Sequence, residues 1–180
     1  MKKPSVLFVL ALLFIGFTTS YAQTIGVNAG LRLPMSDFKD FSNTGYGISA
    51  EYNFSLPAAP VEFSITGSWD SFGFSDAYKA VAGDYKFTSI GVMGGARYLI
   101  KAPGMQFTPY VGAKLGYVNF KNGAPGGSSS GQFAWSPEVG FRYGFSPITS
   151  LDVNVAYLSS SKNSFTSSWL GINAGVVFGL

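Results

Sequence analysis

From residue 24 to the C-terminus the chain alternates apolar and polar residues with a period of two. In 45–56, Tyr46, Ile48, Ala50, Tyr52, Phe54 and Leu56 form one row against Gly45, Gly47, Ser49, Glu51, Asn53 and Ser55. In 61–70, Val61, Phe63, Ile65, Gly67 and Trp69 oppose Glu62, Ser64, Thr66, Ser68 and Asp70. Successive side chains of a strand point to opposite faces, so each segment presents one apolar and one polar wall. The pattern predicts eight strands, at about 24–33, 45–56, 61–74, 85–100, 106–120, 132–145, 150–160 and 169–180. No helical periodicity competes over a comparable length.

The connections are sorted by length. PAAP (57–60), KAPGM (101–105) and SPIT (146–149) are tight turns, whereas PMSDFKDFSNT, SDAYKAVAGD, NGAPGGSSSG and SSKNSFTSS are longer polar segments. Short turns on one side and longer loops on the other are the layout of an all-β, antiparallel up-and-down transmembrane β-barrel. Its turns and both termini face the periplasm.

Residues 1–22 form a separate segment. Lys2 and Lys3 precede an apolar run from Val6 to Phe17, and Ser20-Tyr21-Ala22 places small residues at −3 and −1 of a cut before Gln23. The run is shorter than the ~20 residues of a spanning helix, so a cleaved secretory signal peptide is expected, with residues 23–180 as one barrel domain. Beyond it no apolar run approaches a spanning helix, yet aromatics make up 17 % of the chain and charged residues only 12 %. A closed barrel lets such an exported chain satisfy its backbone inside a bilayer.

A soluble barrel would show the same alternation with the apolar row inward. Two features favour apolar-out. The polar rows hold glycine and charge rather than the varied side chains of a soluble exterior. The apolar rows also carry aromatics at two levels: Phe54, Phe63, Tyr98, Phe107 and Tyr143 near the turns, and Tyr46, Trp69, Tyr117, Trp135 and Tyr157 near the loops. These are candidate interface girdles.

The chain has no cysteine and no histidine, which removes disulfides, thiolate metal sites, the usual general base and the commonest metal ligand. Barrel hydrolases that work through histidine with Ser or Asp are disfavoured, and neither enzymatic activity nor a cofactor is expected. Ser128-Ser129-Ser130 reads as part of a flexible Gly/Ser linker rather than as nucleophiles. Asp37 with Asp40, and Asp76 with Asp84, have Lys39 and Lys79 nearby and no EF-hand spacing, so they read as solvated loop charges rather than calcium sites. Residues 23–180 keep all nine acids and lose two of the twelve basic residues, leaving a net charge of about +1. Without a basic patch, no nucleic acid partner is expected.

Three stretches, FTPYVGAKLGYVNF (107–120), EVGFRYGFSP (138–147) and LDVNVAYL (151–158), make the chain resemble the OmpA-like, porin-family eight-stranded outer-membrane β-barrels over about its whole length beyond the signal. The resemblance implies residence in the cell outer membrane's lipid bilayer and insertion by the barrel assembly machinery. Asn173, Gly175, Phe178 and Leu180 resemble that family's C-terminal assembly signal, with Leu in place of the usual final aromatic. Some relatives carry a peptidoglycan-binding domain after the barrel; this chain stops at strand eight, and no cell-wall tether is expected.

The polar rows carry Arg32, Arg97, Lys114 and Arg142 against Glu51, Glu62, Asp70, Glu138 and Asp152. Buried charges require partners. Partners within one strand are out of reach: Glu138 and Arg142, four residues apart, are separated by roughly 13 Å. Heights above the nearer turn predict the pairs Lys114–Glu138, Arg142–Asp152, Glu62–Arg97 and Arg32–Glu51. Lys114 fixes the register of its strand, because facing lipid near the midplane it would cost about 2–4 kcal/mol. Facing the lumen, it shares a row with Tyr110, Gly112, Gly116 and Val118, and Pro109, Val111, Ala113, Leu115 and Tyr117 take the lipid. Pro109 and Pro137 each lack a ladder donor and predict local bulges.

An eight-stranded interior is just wide enough for side chains to fill. The charges are therefore expected to plug the lumen of a protein with a structural or surface-interaction role. The alternative is a narrow porin-like channel for small solutes, opened by exchange of ion-pair partners. Phe38, Phe41, Tyr78 and Phe165 are loop aromatics that could contact an extracellular ligand, which the sequence does not name. Passage of small apolar molecules would need an apolar lumen, and the polar rows argue against it.

Overall fold

The computed structural model describes residues 22–56, 59–101, 106–162 and 165–180, apart from the side chains at 22, 81, 82, 162 and 165. Eight antiparallel strands follow one another around a closed barrel: β1 (Ala22–Met35), β2 (Gly45–Ser55), β3 (Val61–Gly73), β4 (Lys86–Leu99), β5 (Phe107–Asn122), β6 (Ser129–Ser146), β7 (Thr149–Lys162) and β8 (Phe165–Gly179). The seam between β1 and β8 runs from Thr24↔Gly179 to Met35↔Ser168. Every strand has two partners, and closure removes the edges that would otherwise recruit other chains or expose unpaired backbone.

Burial settles the direction of the rows. Leu115 is 57 % exposed and Val92 62 %, whereas Arg97 is 2 % and Glu51 4 % exposed. The apolar rows face outward and the charged rows inward, the arrangement a bilayer requires. Among the described residues no helix is long and apolar enough to cross a membrane, and the strands supply the spanning wall.

The β1–β2 connection contains a 3₁₀ turn (Ser36–Asp40), and the β3–β4 connection a short helix, α1 (Asp76–Ala82). The fourth long loop expected from SSKNSFTSS is instead mostly strand. Its hydroxyl residues continue the hairpin as Ser160↔Ser167 and Ser161↔Thr166, with the latter pair's side-chain oxygens 3.2 Å apart. Polar composition on both faces predicts a loop, but a strand end that rises beyond the apolar belt has no lipid-facing row to keep apolar. Likewise Ser129 and Ser130 belong to β6, paired with Lys121 and Phe120, and are not linker.

The bulges expected at the prolines do not form. The β5–β6 register is unbroken through Pro109↔Phe141 and Ala113↔Pro137. The Pro109 carbonyl points toward β4, accepting from Ile100 N at 2.8 Å, so its missing donor falls where the β4–β5 ladder is already ending, at Leu99↔Tyr110. Against β7 the ladder omits Ser136 and Pro137 without changing register, and the register shift lies at the turn, between Gly144 and Ser146.

Candidate functional site

The barrel interior is the site. Arg97 on β4 is its hub: Nη1 and Nη2 donate to Glu51 Oε1 and Oε2 at 2.5 and 2.9 Å, and Nε and Nη2 to Glu138 Oε1 and Oε2 at 2.5 and 3.2 Å. Its Nη1 also lies 3.6 Å from Glu62 Oε1. Lys114 Nζ donates to Glu51 Oε2 at 2.6 Å and lies 3.3 Å from Glu138 Oε2. Arg142 makes a fork with Glu62, 2.7 and 2.8 Å, and donates Nε to Asp152 Oδ2 at 3.0 Å. Planar guanidinium–carboxylate forks hold both partners in orientation as well as in charge.

Neutral residues extend this lattice. Tyr110 OH and Asn154 Nδ2 donate to Asp152 Oδ1 at 2.8 and 3.0 Å, and Thr66 Oγ1 donates to Glu51 at 2.9 Å. Asn173 bridges Asn154 (2.8 Å) to Arg32 Nη1 (2.6 Å). The Arg97 guanidinium sits 4.8 Å from the Tyr110 ring centroid, a cation–π contact. All eight strands thus contribute a side chain to one connected network. The sequence does not mark Tyr110, Asn154, Asn173 or Thr66 as members of this network, although each lies on a polar row, and it offers Asn173 only as part of the C-terminal assembly signal.

The structure brings together Lys114–Glu138, Arg142–Asp152 and Glu62–Arg97, but Lys114's shorter contact is to Glu51. The Arg32–Glu51 pair is corrected: Arg32 Nε donates to Asp70 Oδ1 at 2.6 Å. Arg32 stands opposite Gly45, whereas Glu51 stands opposite Gly26, well down the same strand pair. Arg32 reaches Asp70 on β3 by lying across Gly47 of β2, which pairs with Asp70 and has no side chain in the way.

Above the charged layer the inner rows turn apolar. Phe72, Met93, Val118, Phe120, Ala134, Leu158 and Trp169 form a buried cluster at the loop end. Phe38, expected to be an exposed loop aromatic, is buried in its centre, 5.0 Å from the Phe72 ring and 6.3 Å from Trp169. The 3₁₀ turn folds it inward because the mouth offers aromatic edges where solvent offers none. This cluster narrows the lumen at the loop end, beside the buried polar side chains of Gln132, Ser160 and Ser167. The readable sign was that Phe72, Phe87, Phe120 and Trp169 interrupt polar rows at their loop ends.

Among the described residues, cavities lie at three levels along the axis. One of about 280 Å³ opens at the turn end with Glu62 and Arg142 in its wall. One of about 70 Å³ lies mid-barrel, lined by Arg32, Asp70, Arg97, Lys114 and Glu138, and a third of about 230 Å³ lies at the mouth beside Phe38, Phe87 and Phe120. The Arg142–Glu62–Arg97 layer stands between the first two, and Trp169, 5.6 Å from Phe120, between the second and third.

The aromatics of the outer wall sit in pairs: Phe54–Phe63 (5.3 Å) and Phe107–Phe141 (4.8 Å) toward the turns, Tyr46–Trp69 (5.9 Å) and Trp135–Tyr157 (5.8 Å) toward the loops. Tyr98, Tyr117 and Tyr143 are exposed on the same outward rows. Asn173 and Gly175 face the lumen, while Phe178 and Leu180 are exposed. Asp37, Asp40, Asp76 and Asp84 are exposed, Asp84 lies 3.3 Å from Lys79, and among the described residues no acidic group is arranged to hold a metal ion. Phe41 and Tyr78 pack edge to face at 5.7 Å. Residues 1–21 of the expected signal segment and the Phe165 side chain lie outside the described residues, while Ala22, its last residue, begins β1 opposite Ser55.

Comparison with solved structures agrees with this architecture. Neisserial surface protein A superposes with a TM-score of 0.64 at 18 % identity, over 89 % of this chain and 96 % of that one. The N-terminal β-barrel domain of Pseudomonas aeruginosa OprF gives 0.52 at 17 %, over 89 % and 100 %. Ail of Yersinia pestis, solved with the heparin analogue sucrose octasulfate, gives 0.53 at 16 %, over 89 % and 100 %. At these identities the likeness is one of fold. The chain has no significant match among curated protein sequences. The family model "Outer membrane protein beta-barrel domain" matches residues 8–178, and with the closed eight-stranded barrel already described, the chain belongs to the outer-membrane β-barrel family.

Proposed function

We propose that the protein is a closed barrel of the outer membrane whose role is structural or one of surface interaction, and that it is not a channel or an enzyme. Residues 1–22 serve as a cleaved export signal, and Asn173, Gly175, Phe178 and Leu180 present the C-terminal strand to the barrel assembly machinery. The observation that carries the reading is the doubly filled lumen: a charge lattice anchored on all eight strands, under an aromatic plug centred on Phe38. The paired aromatics of the outer wall serve as interface girdles. Contact with an extracellular partner falls to the loop end, where Phe41 is exposed. Vesicles carrying the folded protein should swell in isotonic arabinose no faster than empty vesicles; rapid swelling would overturn the reading.

A narrow pore is the second reading. One observation favours it: only side chains separate the turn-end cavity from the central one, and Glu138 has two cationic neighbours, Arg97 and Lys114, between which it could exchange. Openings that depend on Glu138 would support that exchange.

A further inference from the structure

The nine charged residues of the lumen face inward, and among strand residues with described side chains the other two charges face outward: Lys86 and Lys121. Phe87 packs into the mouth, 5.7 Å from Phe38, so Lys86 points away from it; Phe120 is buried in the same cluster, so Lys121 points away too. Both lysines are exposed. They stand on neighbouring strands at the loop end. Lys121 pairs with Thr88, and Gly123 N donates to the Lys86 carbonyl at 3.0 Å. The lysines are therefore diagonal neighbours, roughly 7–8 Å apart at the backbone, within reach of one shared anion.

Their surroundings select the kind of anion. Next below on the same two outward rows come Thr88 and Asn119, and beyond them Ile90, Val92, Leu115 and Tyr117, each of these four more than half exposed. The Tyr117 ring lies over Gly131 of β6, where a side chain would collide with its hydroxyl. No described carboxylate occupies an outward row, and Asp84, near Lys86 in the chain, lies beside Lys79 at 3.3 Å. An anion held here would have its charge between two ammonium groups and its remainder against an apolar wall.

We propose that Lys86 and Lys121 form a lipid headgroup site on the outer wall, taking a phosphate-monoester lipid of the loop-side leaflet with its acyl chain laid along Val92 and Leu115. Lysine is a point-charge donor suited to phosphate, and lysines at the edge of a membrane segment extend readily into the headgroup layer.

The test uses the folded full-length barrel in phosphatidylcholine vesicles at low salt, with trace spin-labelled phosphatidic acid or spin-labelled phosphatidylcholine. The motionally restricted component of the spectrum reports lipid held at the wall. The wild type should retain phosphatidic acid over phosphatidylcholine by roughly fivefold per lysine. Lys86→Gln with Lys121→Gln should abolish the preference, and Lys86→Arg with Lys121→Arg should keep most of it. Heat-modifiable gel mobility establishes that each variant is folded. Equal retention of the two lipids by the wild type, or an undiminished preference in the folded double Gln variant, would overturn the proposal.

Discussion

Arg97 meets Glu138 across an intervening strand, Nε to Oε1 at 2.5 Å, and the residue at the crossing is Gly112, which pairs with both. The same device recurs. Arg32 passes over Gly47 to reach Asp70, Tyr110 passes over Gly140 toward Asp152, and Lys114 lies over Gly95 on its way to Glu51. Inward glycines clear the routes along which long polar side chains find partners beyond their nearest strand, one of the uses of glycine in strands.

Filling such a route should be costly. A Cβ at Gly112 would stand 2.8 Å from both Arg97 Cγ and the Ala96 carbonyl oxygen, whereas nothing lies within 4 Å of one at Gly67 on the outer wall. Gly112→Ala should destabilise the barrel by about 1–3 kcal/mol, and Gly67→Ala should change stability by no more than about 0.5 kcal/mol. Urea unfolding in lipid vesicles, followed by tryptophan fluorescence, compares the two. Equal effects would mean that the glycines do not clear the lattice.

Removing the hub should be worse. Arg97→Met leaves Glu51 without its fork and Glu138 with the longer Lys114 contact alone. Breaking a buried pair by deleting one partner costs about 3–5 kcal/mol, and the same unfolding measurement should show a loss in that range. Arg97→Lys should recover only part of it, because an ammonium cannot make the fork.

Lys114→Leu should cost less, about 1.5–3 kcal/mol for a lost bond between charged groups, since both of its carboxylate partners keep Arg97. Double-mutant cycles should give a larger coupling with Glu51→Gln than with Glu138→Gln, following the 2.6 and 3.3 Å contacts. A larger coupling to Glu138 would restore the pairing expected from strand heights alone.

The aromatic plug makes a local prediction. Phe38→Ala removes the ring packed on Phe72, Phe120 and Trp169. With Trp69 and Trp135 replaced by Phe, acrylamide should quench Trp169 markedly more in Phe38→Ala than in the parent, while heat-modifiable mobility is retained. Unchanged quenching would show that Phe38 does not seal the mouth.

The legible part of this molecule is the part governed by parity. Lys114 among Tyr110, Gly112, Gly116 and Val118 was enough to fix which face of β5 meets lipid, and a charge has no comparable home on the other face. Pairs between directly opposed residues, Glu62↔Arg97 and Arg142↔Asp152, followed from height above the turn. Arg32 did not, because its partner is decided by barrel stagger and by the open lane over Gly47, which are properties of three strands together. Phe38 was misread for a related reason: a loop aromatic next to Asp37 and Lys39 reads as exposed until the closed barrel supplies the ring of aromatics that receives it.

Single-channel recording across a planar bilayer tests the central claim most directly. The account predicts that wild-type barrels, inserted as folded protein, add no steady conductance, and that Glu138→Gln does not create one, because Phe38 and the remaining ion pairs still fill the lumen. Stable wild-type openings whose amplitude or frequency shifts in Glu138→Gln would contradict it and make the ion lattice a gate.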